Sequence, residues 1–99
     1  MPPVVEHALL SVRPGAEAAF ERAFAVARTI PTQAPGFRSL RLLRGCETPT
    51  HYRLLIEWDS IEDHMVGFRS SALYDRWSAL LRPHFSAPPE VSHATEVDG

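Results

Sequence analysis

His51-Tyr52-Arg53-Leu54-Leu55-Ile56-Glu57-Trp58-Asp59-Ser60-Ile61-Glu62-Asp63-His64 is the stretch on which the fold turns. Its first eight residues read as a strand. Tyr52, Leu54, Ile56 and Trp58 fall on one face at a period of two, and Arg53, Leu55 and Glu57 on the other. At Ser60 the pattern changes to that of a helix start, with Ser60 as N-cap and Glu62 and Asp63 in the first turn, where acids are favoured. Ile61, Met65 and Phe68 mark a short helix, which Gly67 and Ser70-Ser71 loosen or break. His64 lies three residues after Ile61 and four before Phe68. Helical spacing therefore puts an imidazole on the apolar face.

Working outward, Gly45 to Thr50 suits a hairpin connection, and Phe37 to Arg44 reads as the strand before it. Upstream, Val4 to Val12 is a strand broken by Arg13-Pro14-Gly15. Phe20, Ala23, Phe24, Ala27 and Ile30 then recur at helical spacing until Pro31. Downstream, Leu73, Trp77, Leu80 and Leu81 form the stripe of a helix from about Ala72 to Leu81, which Pro83 stops. Glu90 to Val97 is a last strand. The order β-α-β-β-α-β, with the second helix split, is the α+β ferredoxin-like split βαβ arrangement. It predicts one four-stranded antiparallel sheet with the helices on a single face. The other face, carrying Arg53, Leu55 and Glu57, is too apolar for a cleanly solvated surface and fits burial against a second sheet.

Ninety-nine residues make one domain, spanning 1–99, which buries roughly 60–70% of the surface of its unfolded chain, so pairing with a second copy would help it. The net charge of -2 offers no field for nucleic acid or an anionic membrane. All ten basic residues are Arg, and Asn is absent. One cysteine, Cys46, excludes an internal disulfide and suits a reducing compartment. Met1 to Val5 has neither the charge nor the apolar run of a signal peptide, and no apolar run is long enough to span a membrane. The expectation is a cytoplasmic protein.

Three segments carry a resemblance. Glu6 to Gly15, Pro35-Gly36-Phe37-Arg38-Ser39-Leu40, and above all Leu54 to His64 followed by Gly67-Phe68-Arg69-Ser70-Ser71 and Tyr74-Asp75-Arg76-Trp77 are similar to the antibiotic biosynthesis monooxygenase (ABM) superfamily. The likeness runs from about Val4 to Val97. It implies a homodimer whose two sheets pack into an α+β barrel, with a pocket between sheet and helices in each protomer. It also implies oxidation of aromatic polyketides or quinols without metal or flavin, so no cofactor is expected, or else degradation of haem. The haem-degrading pattern of Asn, Trp and His is not met. Aligned through Trp58, the Trp position falls on Gly67 and the His position on Trp77, and there is no Asn. The Asn of the polyketide-oxidising members is missing too, so haem is disfavoured and the pocket chemistry differs from both patterns.

Among residues able to carry chemistry, His64 is the candidate catalytic base, since an imidazole can take a proton near neutral pH. The plainer reading is a core histidine bonded to a backbone carbonyl or to Glu57. Phe68, Tyr74 and Trp77 suit an aromatic wall for a flat ligand, or simple core packing. His84 continues the Trp77 stripe, either to the pocket mouth or as a cation at a helix C-terminus. His7 and His93 lie on the first and last strands with facing undecided. No His-Glu-x-x-His and no cysteine cluster is present, so no metal is expected. Cys46 is expected on a surface loop, and Arg69 either in a surface ion pair or on an anionic group. The reading is a cofactor-independent monooxygenase acting on a small aromatic or quinol-like molecule. A non-catalytic module that binds small molecules or dimerises is the alternative.

Overall fold

The computed structural model describes residues 2–98. Four strands, β1 (Val4–Ser11), β2 (Phe37–Arg44), β3 (His51–Trp58) and β4 (Glu90–Ala94), form one antiparallel sheet in the order β2-β3-β1-β4. Helices α1 (Glu17–Ala27) and α2 (Ala72–Leu81) cover one face. This is the ferredoxin-like α+β arrangement expected from the element order. The strand bounds of β2 and β3 match the sequence reading, whereas β4 ends at Ala94, short of Val97.

Burial alternates along β1 and β3 as the pleat requires. Ala8, Leu10, Tyr52, Leu54, Ile56 and Trp58 point at the helices and are buried. Phe20, Phe24 and Ala27 of α1 and Trp77 and Leu81 of α2 pack on them. Each large side chain so buried contributes about 1.5–3 kcal/mol. The opposite face carries half-buried Val5, Leu9 and Leu55 among exposed His7, Arg41 and Arg53.

The segment after β3 departs from an ordinary helix. Ser60 does cap it: its hydroxyl accepts from Asp63 N at 3.1 Å and donates to the Asp63 carboxylate at 3.0 Å. After one turn, however, residues Asp63–Phe68 widen into a π-helix, closed by Arg69 N donating to His64 O at 3.0 Å. The wider turn breaks the expected stripe. His64 and Phe68 are buried, while Ile61 and Met65 are 47% and 39% exposed. Gly36, at φ +86°, turns the chain into β2 beside this capped turn. A Cβ there would strike the Asp63 side chain, so the position needs glycine on both counts. Ser71 then starts α2, accepting from Tyr74 N at 3.3 Å.

Past α2 the chain forms a 3-10 turn (Arg82–His84) and bridges Phe85 to Val12 at the end of β1. It returns through Pro88 and Pro89 to β4. That return roofs one side of a cavity between the sheet and α2.

Candidate functional site

The cavity holds about 260 Å³. Its floor is the inner face of the sheet, with Glu6, Ala8 and Leu10 of β1, Leu54 and Ile56 of β3, and Val91 of β4. His64 and Phe68 of the π segment and Tyr74, Trp77 and Leu81 of α2 form the walls, and Pro88 and Pro89 close the far side. The lining is mostly apolar and aromatic, as in a pocket for a small organic ligand. Phe68 stands edge-on to Tyr74 at 5.6 Å and to Trp77 at 6.2 Å between centroids, so the three expected wall residues meet in one place.

A line of polar groups runs through the wall. Trp58 Nε1 donates to Glu6 Oε1 at 3.0 Å. The same oxygen lies 3.2 Å from His64 Nε2, and His64 Nδ1 lies 2.8 Å from Nε2 of His93 on β4. Strand register explains the meeting: Glu6 is directly opposite His93 on β4 and Ile56 on β3, so all share the helix-facing side of the sheet. The π turn lowers His64 onto them, with its ring stacked on Trp58 at 5.5 Å and 16°. Glu6 and His64 are only 5% and 3% exposed.

Burial governs their charges. It pushes the Glu6 carboxyl up from 4.5 to about 7, against the pull of the Trp58 hydrogen bond and the Arg69 charge. It brings the His64 imidazole down from 6.5 to about 4, with the His93 and Arg69 charges adding to the effect. Burial lowers His93 as well. Near neutral pH the imidazole is uncharged and carries one ring proton. When Glu6 is ionised, a ring proton on Nε2 faces the carboxylate 3.2 Å away, and Nδ1 accepts from His93. A buried carboxyl that titrates near neutrality on a cavity wall is suited to accept and return a proton.

His64 faces inward, as its spacing predicted, but its partners are Glu6 and His93. Glu57 is on the opposite face, where Arg38 Nε lies 3.9 Å from it. His84 does not line the cavity: it is half-buried beyond the end of α2, its ring 6.3 Å from that of Phe20. His7 and His93 are on opposite faces of adjacent strands, His7 exposed and His93 inward, so they do not pair. Cys46 is exposed. Arg69 makes no ion pair among the described residues. It sits 5.5 Å over the Tyr74 ring and lines the cavity. Glu6 is absent from the sequence candidates, and His93 is weighed there only beside His7, with its facing undecided. The signal for Glu6 was present as a carboxylate in phase with Val4, Ala8 and Leu10 on the apolar face of β1.

The sequence profile of the antibiotic biosynthesis monooxygenase family, ABM, matches residues 3–80. The uncharacterised Bacillus subtilis protein YczJ is 38% identical over 94 residues, which are 95% of this chain and 99% of YczJ. A crystal structure ascribed to an antibiotic biosynthesis monooxygenase from Bordetella bronchiseptica is 37% identical. It superposes with a TM-score of 0.95 over 98% of this chain and 99% of that one. SnoaB, a cofactor-independent oxygenase from Streptomyces nogalater, shares the fold with a TM-score of 0.84 over 100% of this chain and 97% of its own, at 21% identity. No helix among the described residues is long and apolar enough to cross a membrane. With the profile covering most of the chain and two relatives above one-third identity, the protein belongs to the ABM family.

Proposed function

We propose that this protein is a monooxygenase that oxidises a small aromatic or quinol-like molecule with O₂ inside the cavity, and that it works as a homodimer. The observation that carries the reading is a buried carboxyl pushed up to about 7, Glu6, with the neutral imidazole of His64 3.2 Å from it in the wall of an aromatic-lined cavity. Phe68, Tyr74 and Trp77 hold the flat substrate, and the Glu6–His64 pair draws off its proton. Once deprotonated, the substrate itself supplies electrons to O₂, and the apolar walls keep the anion from water. That chemistry needs no metal or flavin. Haem degradation is the weaker reading, because the positions of its Trp and His hold Gly67 and Trp77.

The homodimer is supported by the sheet face opposite the helices, where Val5, Leu9 and Leu55 lie among charged neighbours. Covering them with the same face of a second copy removes that apolar area from water. Light scattering is expected to give twice the chain mass of 11.1 kDa, and a clean monomer would refute the assembly.

The activity is tested by O₂ uptake with a hydroquinone and with anthrone. Turnover is expected from the purified protein, with a large loss on Phe68→Ala. Saturable binding of both compounds with no O₂ uptake would instead identify a non-catalytic binding module.

A further inference from the structure

Both ring nitrogens of His64 are engaged: Nε2 lies 3.2 Å from Glu6 Oε1, and Nδ1 lies 2.8 Å from His93 Nε2. A molecule in the cavity meets this ring with Nδ1 bonded to His93 and Nε2 turned toward Glu6 Oε1. Glu6 is different. Its Oε1 takes the Trp58 bond and faces His64, while Oε2 has no hydrogen-bond partner among the described residues. Every fully buried side-chain polar atom among those residues has a partner, so Oε2 retains an open side, and the space that Glu6 lines is the cavity.

The geometry points to Glu6 Oε2 as the atom that accepts the substrate proton, with His64 and His93 as positioning residues that hold the carboxyl. The inference rests on the oxygenase reading only for the steps that follow the proton transfer. In the transfer, an acidic C–H or O–H bond of the aromatic breaks, its electron pair stays on the ring system, and an O–H bond forms on Oε2. Trp58 Nε1–H bonds Oε1, and His64 Nε2 lies 3.2 Å from that same oxygen. The new proton therefore displaces neither of them, and the site needs no rearrangement. With a C–H acid, O₂ then takes electrons from the carbanion as a C–O bond forms, and the peroxide oxygen recovers the proton from Glu6. Loss of water leaves a carbonyl, so that one CH₂ and one O₂ become one C=O and one H₂O.

The titratable and charged groups around Glu6 are His64 from the π segment, Arg69 after it, His93 from β4, and Arg82 across the cavity beyond α2. None of them donates a charged hydrogen bond that would hold the carboxylate ionised and unreactive at neutral pH. His64 is neutral there, and the Arg69 guanidinium is engaged over Tyr74.

The test separates the proton step from the oxygen step. Under argon in D₂O, the wild-type protein is expected to speed deuterium exchange into the acidic CH₂ of anthrone, with a pH midpoint near 7. Glu6→Gln should lower that exchange by about 100-fold or more. Should Glu6→Gln fail to fold, Glu6→Asp, which withdraws the carboxyl by one methylene, is expected to lose most of the exchange while staying folded. His93→Gln should keep exchange and shift its midpoint, as a positioning role requires. Exchange that survives in Glu6→Gln but vanishes in His64→Gln would overturn the assignment, as would a wild-type protein that gives no exchange. Exchange without O₂ uptake in air would remove the oxygenase reading and leave Glu6 as the acceptor.

Discussion

Two polar clusters stand on the helix-facing side of the same sheet, at opposite ends of β3, and they use a glutamate in different ways. At one end Tyr52 donates to Glu21 Oε2 at 2.6 Å, and Arg44 donates to the same oxygen at 3.1 Å. Glu21 and Arg44 are both exposed, so this carboxylate has a cation on one side and water on the other. At the other end Glu6 is buried, with an indole N–H and a neutral imidazole as partners and no bonded cation. The first cluster ties α1 to the sheet edge. The second holds a carboxyl whose charge is poised, because burial and hydrogen bonding act on it in opposite directions. What makes a buried acid chemically useful here is the absence of a neutralising partner together with an open side on the cavity.

The sharpest way to break this contrast is to blunt each glutamate alike. Glu6→Gln is expected to reduce anthrone-dependent O₂ uptake by about 10²–10⁴-fold, the range for a lost general base. Glu21→Gln should leave uptake at the wild-type level and lower the melting temperature slightly. Equal losses of activity in the two variants would mean that the clusters do not differ in kind.

Stability against pH gives the next largest effect. The folded chain holds the Glu6 proton up to about 7, whereas a free glutamate releases it near 4.5. Glu6 thus carries no penalty below 4.5, and one that grows to its limit as pH rises through 7. His64 works the other way. Its penalty is absent above 6.5 and grows as pH falls through 4. From about 4.5 to 6.5 the Glu6 slope opposes that of His64, to which His93 adds in the same direction, and the wild-type profile in urea denaturation should be shallower than a Glu6 variant's. Desolvation is the leading cause of both shifts, so each outlives removal of the other group. Glu6→Gln is then expected to give stability that rises with pH across that window. His64→Gln should give stability that falls, each by up to about 3 kcal/mol. Parallel slopes in the two variants would contradict the burial-driven origin of the shifts.

Much of this arrangement was legible in the chain. Alternation in His51–Trp58, the Ser60 cap and the stripe of α2 gave the element order, and the element order gave the sheet. Local spacing also placed His64 inward. What it missed was non-local or irregular. The partnership of Glu6 with His93 depends on the register between β1 and β4, strands separated by almost the whole chain. The π turn was hidden because its residues satisfy helical spacing as well as an α-helix would. The bond from Arg69 N to His64 O and the exposure of Ile61 and Met65 reveal the wider turn. His84 was misleading for a related reason: Pro83 tightens the chain into a 3-10 turn, so the α2 stripe does not continue through it.

The smallest expected effect is at the other cluster. Tyr52→Phe removes a hydroxyl whose only bond among the described residues is to Glu21, and it keeps the ring that packs 4.7 Å from Phe20. Glu21 retains Arg44 and reaches water, so no buried group is orphaned and the loss should be about 1 kcal/mol. Tyr52 does not line the Glu6 cavity, and turnover should be unchanged. The difference should also depend on alkali in a defined direction. Burial, with the Glu21 bond and charge adding, pushes the Tyr52 phenol from 10 up to about 12. The folded chain thus keeps a proton that the unfolded chain gives up, and wild-type stability falls as pH rises from 10 through 12. The phenylalanine variant lacks that slope. Its deficit near neutral pH should shrink above pH 10, and melting curves on the two proteins at neutral and alkaline pH would show the convergence. A deficit that stays constant into alkali would mean that the Tyr52 hydroxyl is no more protected from ionising when folded than when unfolded, and that burial beside Glu21 does not raise it.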